Sequence, residues 1–193
     1  SKRSRIIVTS KERVGEGQIT KIEDLANQKW KGKICSRPGS HVYNRALMAS
    51  LILSLGEKAA EEWAKKFVDN LSRRPQGNDR AQVKAIFEGQ CDISIINNYY
   101  FGKLKYSEDP SQREWAKSVR LIFPNQGEEE RGAHINISGG GVAKYSKNKN
   151  EAVALLEFLS KAQSQKMYGE INFEYPVNPS VETTEELKSW GSF

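Results

Sequence analysis

Two adjacent tyrosines, Tyr99 and Tyr100, follow the amides Asn97 and Asn98 at the end of the apolar run Ile93-Ser94-Ile95-Ile96. Neighbours on a strand point to opposite faces, but where a strand turns into a helix both phenols can converge on one point. Two readings are open for the pair. One is aromatic packing with the hydroxyls at the surface. The other is a site for a hard cation. A free phenol has a pKa of about 10, which makes it a poor ligand for most divalent ions near neutrality. A strongly acidic cation such as Fe³⁺ displaces that proton, because ligand deprotonation and metal binding are linked. Hard cations also prefer oxygen donors.

A third tyrosine stands in Ser40-His41-Val42-Tyr43-Asn44. Ser40 reads as a helix N-cap, which puts Tyr43 in the first turn, where unpaired backbone N–H groups attract anions. Capping and packing alone would also account for both residues. The two histidines, His41 and His134, form no zinc-ligand spacing, and no C-x-x-C is present. His134 reads as a structural histidine. Ser138-Gly139-Gly140-Gly141 lacks the phosphate-loop endings and reads as a kink in a strand. No Ser–His–Asp or Cys–His arrangement suggests an enzyme.

These residues must be held by elements that the pattern outlines. Strands are expected over 5–9, 33–36, 92–96, 119–123 and, broken by glycines, 135–144. Thr20 and Glu23 read as a capping box for a short helix. Helices are expected over 40–55 (Leu47, Leu51 and Leu55 on one face), 57–70, about 79–88, from Tyr99 onward, 110–117, and 184–190. One long helix is expected over 148–168, with Val153, Leu156, Leu159 and Met167 inside. Asn78 or Asp79 caps the helix before Gly89. Strands alternating with helices predict an α/β fold with a largely parallel sheet. Ligands then belong beyond the strand ends, at 36–44, 97–102 and 77–79.

The 193 residues suit about one domain, and 37% hydrophobic with 28% charged residues fits a folded soluble chain. No apolar run approaches the roughly 20 residues that cross a bilayer. The opening SKRSRIIVTSK has no initiator Met and no signal-peptide pattern, and reads as entry in mid-chain. The net charge of +6 is scattered among glutamates rather than clustered, which argues against nucleic acid. Cys35 and Cys91 both sit in apolar, strand-like runs. They read either as two buried thiols or, if their strands are neighbours, as a disulfide. The disulfide would stabilise by roughly 4 kcal/mol on the chain-entropy model and favour an oxidising compartment.

Three stretches resemble a known family. KGKICSRPGSHVYNRALMASLI, RRPQGNDRAQVKAIFEGQCDISIINNYYFGKL and GAHINISGGGVAKYSKNKNEAVALLEFLSKAQSQKMYGEINFEYPVNP are similar to segments of bacterial periplasmic ferric-iron-binding proteins. These are the substrate-binding components of iron ABC transporters, of the transferrin-like dityrosine type. The resemblance runs from about Arg5 to Pro179.

It implies a type II periplasmic-binding-protein clamshell, here the second lobe plus the returning C-terminal segment. Residues 10–131 would form that lobe, 132–176 would return towards a mostly missing first lobe, and 177–193 would place a C-terminal helix on the second lobe. Fe³⁺ would be held by tyrosinates in an interlobe cleft, with Tyr99, Tyr100 and Tyr43 as ligands. In branches that use carbonate or another small anion, the matching positions are Ser40, Asn78 and Asn97. From their proximity to the motifs, Arg37 and Arg80 could offset phenolate charge. The implied partner is an inner-membrane ABC permease, the implied location the periplasm, with a signal peptide upstream. A chain without the first lobe would bind iron weakly and could self-associate through the face so left. The competing reading is a binding protein for a small anion, phosphate, phosphonate or carboxylate, on the same fold.

Overall fold

The structure is a computed structural model that describes residues 1–191 and 193. The strands are β1 (Lys2–Ser10), β2 (Ile34–Cys35), β3 (Ile93–Asn97), β4 (Val119–Ile122) and β5 (Ile135–Ile137). The helices are α1 (Val42–Leu55), α2 (Glu57–Asp69), α3 (Asp79–Phe87), α4 (Asn98–Lys105), α5 (Pro110–Lys117), α6 (Lys149–Ser160), α7 (Ala162–Asn172) and α8 (Glu185–Ser189), with two 3₁₀ turns at Ile22–Ala26 and Gln28–Trp30. The chain divides into two compact units. The larger is Ser4–His134 with Phe193, and the smaller joins Ser1–Arg3 to residues 135–191.

In the larger unit the sheet order is β2-β3-β1-β4. Along this order β2 and β3 run parallel, and β1 runs against both β3 and β4. The largely parallel sheet expected from alternation is therefore corrected. Alternation of strands and helices does not fix direction for a strand that enters first, and β1 inserts between two later strands. Its Ile6, Ile7 and Val8 are fully buried, so both of its faces are covered. Leu47 and Leu51 of α1, Ala60 and Trp63 of α2, and Ile22, Leu25 and Trp30 of the 3₁₀ segment close one side of this core. Burying each of the leucines and the isoleucine among them contributes about 1.5–3 kcal/mol. Trp63 Nε1 donates to Ile22 O at 3.0 Å, so the indole meets no unpaired cost inside.

Two caps differ from expectation. The 22–26 turn is capped by Asp24, whose carboxylate accepts from the Thr20 and Lys21 N–H groups, and not by Thr20 with Glu23. Glu23 instead pairs with Arg131 and accepts from Asn125 Nδ2 at 2.8 Å. Helix α1 is capped by His41, whose Nδ1 accepts from Tyr43 N at 3.2 Å, and not by Ser40, which lies exposed in the preceding turn.

Cys35 and Cys91 are joined as a disulfide that spans 56 residues, from β2 to the lead-in of β3. Of the two readings left open by composition, the bonded one holds because the parallel pairing brings the two cysteine Cα atoms within 5.7 Å.

In the smaller unit, Ser138 N donates to Ser1 O at 2.8 Å, and β5 stops at Ile137 where a longer, glycine-broken strand was expected. The single helix expected over 148–168 is two helices, broken at Lys161, whose backbone is extended. Ser164 Oγ and Gln165 Nε2 donate to the carbonyls of Phe158 and Leu159 freed by the break. Val153 and Met167, expected inside, are 45% and 47% exposed, and α6 buries none of its residues. Thr184 caps α8. Tyr175 Oη donates to Leu187 O at 3.2 Å, which ties the C-terminal helix α8 to the rest of this unit.

Candidate functional site

The parallel pair β2–β3 sends each carboxyl end into a helix. After β2, the loop of residues 36–41 leads to α1 and places Tyr43 at its second position. After β3, α4 begins at once, with Tyr99 and Tyr100 in its first turn. Two helix N-termini, with their unpaired N–H groups and positive dipole ends, thus stand beside three phenols.

Tyr43 and Tyr99 bring their hydroxyl oxygens to 3.2 Å. The Tyr99 and Tyr100 rings pack with centroids 4.3 Å apart, tilted by 32°. In a helix, adjacent residues are rotated by about 100° rather than 180°, which is why side-by-side phenols can share one environment here. Burial, followed by hydrogen bonds with Tyr100 and Tyr43, pushes Tyr99 well above the ordinary phenol value, with Asn97 pulling the other way. Tyr99 is therefore a neutral phenol around neutrality, held against two other phenols with their oxygens converging.

Cations surround the rings. Arg37 Cζ lies 5.0 Å and Arg5 Cζ 5.8 Å from the Tyr43 ring centroid. Arg80 Cζ lies 5.9 Å from that of Tyr100, and Lys103 Nζ 5.5 Å from that of Tyr99. The Arg80 Nε is buried without a hydrogen-bond partner. His41 packs edge-on to Tyr43, with centroids 4.7 Å apart. Burial and then the Arg37 charge lower its pKa, consistent with a neutral ring whose Nδ1 accepts from the helix.

Among the residues singled out from sequence, Tyr43, Tyr99, Tyr100, Asn97, Arg37 and Arg80 are gathered at these two helix starts. Asn78 spends its amide oxygen on capping α3, accepting from Ala81 N at 3.0 Å. Ser40 is exposed, away from any capping role.

Two residues escaped the sequence reading. Asp79, read only as an alternative cap, is fully buried and bridges Arg5 and Arg37. Arg5, read only as the start of a strand, is 2% exposed and reaches Asn44, Asp79, Asn97 and Ile95 O. A signal for both existed: an arginine leading directly into Ile6-Ile7-Val8 must find a buried partner.

The bacterial extracellular solute-binding protein family matches residues 3–192. "Iron uptake protein A1" of Synechocystis is 42% identical over 193 residues, covering 100% of this chain and 53% of that protein. The "Major ferric iron-binding protein" of Neisseria meningitidis is 30% identical over 189 residues, covering 97% of this chain and 54% of that protein. A solved Trichodesmium structure described as in complex with iron and citrate ligands superposes with a TM-score of 0.94 at 47% identity, covering 100% of this chain and 60% of that one. The chain spans about half the length of the curated relatives it matches. The architecture is the α/β type II periplasmic-binding-protein fold expected from the resemblance. By the extent of these matches, the chain belongs to the bacterial extracellular solute-binding protein family.

Proposed function

We propose that this chain supplies the phenolate side of a ferric-ion site, with Tyr43, Tyr99 and Tyr100 as ligands, in a periplasmic binding protein that delivers Fe³⁺ to an inner-membrane ABC permease. The observation that carries this reading is the convergence of three phenols, with Tyr43 and Tyr99 oxygens 3.2 Å apart, at two helix N-termini. The printed descriptions of the relatives, which name iron or ferric ion, support it. Three phenolates neutralise the charge of one Fe³⁺, and displacing three phenolic protons needs a cation of that acidity. Arg37 and Arg5 lie within 5.8 Å of the Tyr43 ring centroid and Arg80 within 5.9 Å of that of Tyr100, so positive charge stands beside the rings. Asn97 sits beside Tyr99, and with Ser40 and Asn78 it marks where a small companion anion such as carbonate would be sought. Further ligands would come from the rest of a protein of the relatives' length, so the chain alone binds more weakly than the whole.

The function is binding and delivery, with no chemical transformation of the cargo. Release follows protonation of the phenols or withdrawal of the other ligands. The test is titration with ferric citrate at high protein concentration, followed through the visible phenolate-to-iron charge-transfer band. The band is expected in the native chain and lost in Tyr99→Phe/Tyr100→Phe. A band of native intensity in that double variant would sink the assignment.

A further inference from the structure

Behind the tyrosines lies a buried charge cluster that no ligand role explains. The Asp79 carboxylate is fully buried. Its Oδ1 accepts from Arg37 Nη1 at 2.7 Å, and its Oδ2 from Arg5 Nη1 at 3.0 Å and from the Asn97 backbone N–H at 2.8 Å. Arg5 Nη2 donates onward to Asn44 Oδ1 at 2.8 Å, and Asn44 Nδ2 to Arg37 O at 3.0 Å. One carboxylate therefore joins three separate pieces of chain. They are β1, the loop and first turn that present Tyr43, and the end of β3 from which Tyr99 follows two residues after Asn97. The charges do not balance: two guanidiniums meet one carboxylate, which leaves one excess positive charge inside. Both guanidiniums face the Tyr43 ring.

We propose that Asp79 is a positioning residue for the tyrosine cluster, tying the start of α1 to the start of α4 and cancelling one of the two guanidinium charges behind Tyr43. The inference rests on the ferric reading of that cluster. The geometric part is direct. A buried carboxylate that accepts three charge-assisted or backbone hydrogen bonds tolerates little displacement of any donor, so the hydroxyl separation of Tyr43 and Tyr99 is fixed from beneath. The electrostatic part follows from where the excess charge sits. A positive charge beside a phenolate lowers the energy of its electrons. Moving one of them to iron then takes more light energy. Fewer positive charges behind Tyr43 move the band to longer wavelength, and more move it to shorter wavelength.

The experiment compares Asp79→Asn, Arg37→Gln and Arg37→Lys with the native chain, each loaded with ferric citrate. Thermal unfolding of each variant is followed in parallel. Arg37→Gln is expected to shift the band to longer wavelength, and Arg37→Lys to leave it near the native position. Asp79→Asn is expected to shift it to shorter wavelength and to weaken ferric binding about tenfold or more, the usual cost of losing a group that orients a ligand. A purely structural role would lower intensity in both charge variants without moving them in opposite directions. Where Asp79→Asn fails to fold, the Arg37→Gln and Arg37→Lys pair decides alone. Folded charge variants with an unmoved band, or with shifts of the same sign, overturn the proposal. A native chain that gives no band overturns the ferric reading and this proposal with it, whereas a native band with unshifted variants overturns only the role of Asp79.

Discussion

The hydroxyls of Tyr43 and Tyr99 lie 3.2 Å apart although 56 residues separate them in sequence. At that distance two phenols can share a hydrogen bond, but two phenolates repel strongly unless a cation lies between them. The pair is therefore stable in two forms, protonated alone or ionised around a cation.

Loading should release protons. Tyr99 is held above the ordinary phenol range by burial and by hydrogen bonds with Tyr100 and Tyr43, so it carries its proton at neutral pH. Each phenolic proton displaced makes the apparent ferric affinity rise about tenfold per pH unit below the phenol pKa. Three ligands predict a slope near three, read by calorimetry in buffers of different ionisation enthalpy. A slope near zero would mean that no phenol ionises.

Removing the disulfide with Cys35→Ser/Cys91→Ser should cost roughly 4 kcal/mol, from the loop entropy returned to the unfolded chain. The measurement is a urea titration of both proteins, without reductant. An unchanged midpoint would show that the bond contributes nothing to stability.

Asp92 predicts an acid limit. Burial opposes its ionisation, but hydrogen bonds from Lys33 Nζ at 2.8 Å and Arg13 Nε at 2.5 Å outweigh it and hold the carboxyl below its usual value. A folded-state pKa that is depressed contributes stability above the unfolded value of about 3.9, lost as pH falls through the folded one. Asp92→Asn should therefore be less stable than the native chain at pH 7. The gap should close as both are acidified, and a constant gap down to strongly acid pH would count against this account.

Gly77 should not tolerate a side chain. Its φ is +72°, and a Cβ there would meet the Ala81 Cβ at 2.8 Å. Gly77→Ala should cost about 1–2 kcal/mol or more, since strain in the left-handed region adds to a clash at the entry to α3. Thermal unfolding reads this directly, and a neutral result would show that the turn can re-form.

Local signals made much of the fold legible. The stripe of Leu47, Leu51 and Leu55 marks α1, Gly56 ends it, and the apolar run into Asn97 marks β3. What stayed hidden depends on partners distant in sequence. The direction of β1 is set by insertion between strands formed about 90 and 110 residues later, as Arg5↔Asn97 and Val8↔Leu121 pairings record. The break at Lys161 has no proline or glycine to announce it and is stabilised by side chains of Ser164 and Gln165 that only the folded geometry directs backwards. At the site, residue type and junction position bring out Tyr43, Tyr99 and Tyr100. Asp79 was masked because an aspartate near a helix start already has a sufficient explanation as a cap, a task the structure gives to Asn78.

Strand β2 is two residues long and meets β3 through only two pairings, Ile34↔Ile93 and Cys35↔Ser94. So short a ladder cannot resist sliding, and a shift by one residue would turn every following side chain to the opposite face. Arg37 would then leave Asp79, and Tyr43 would leave Tyr99. The Cys35–Cys91 bond, which joins the last residue of β2 to the lead-in of β3, opposes that slippage covalently. Its lasting effect is thus one of alignment: oxidation fixes, ahead of any cargo, which side chains face each other at the strand ends.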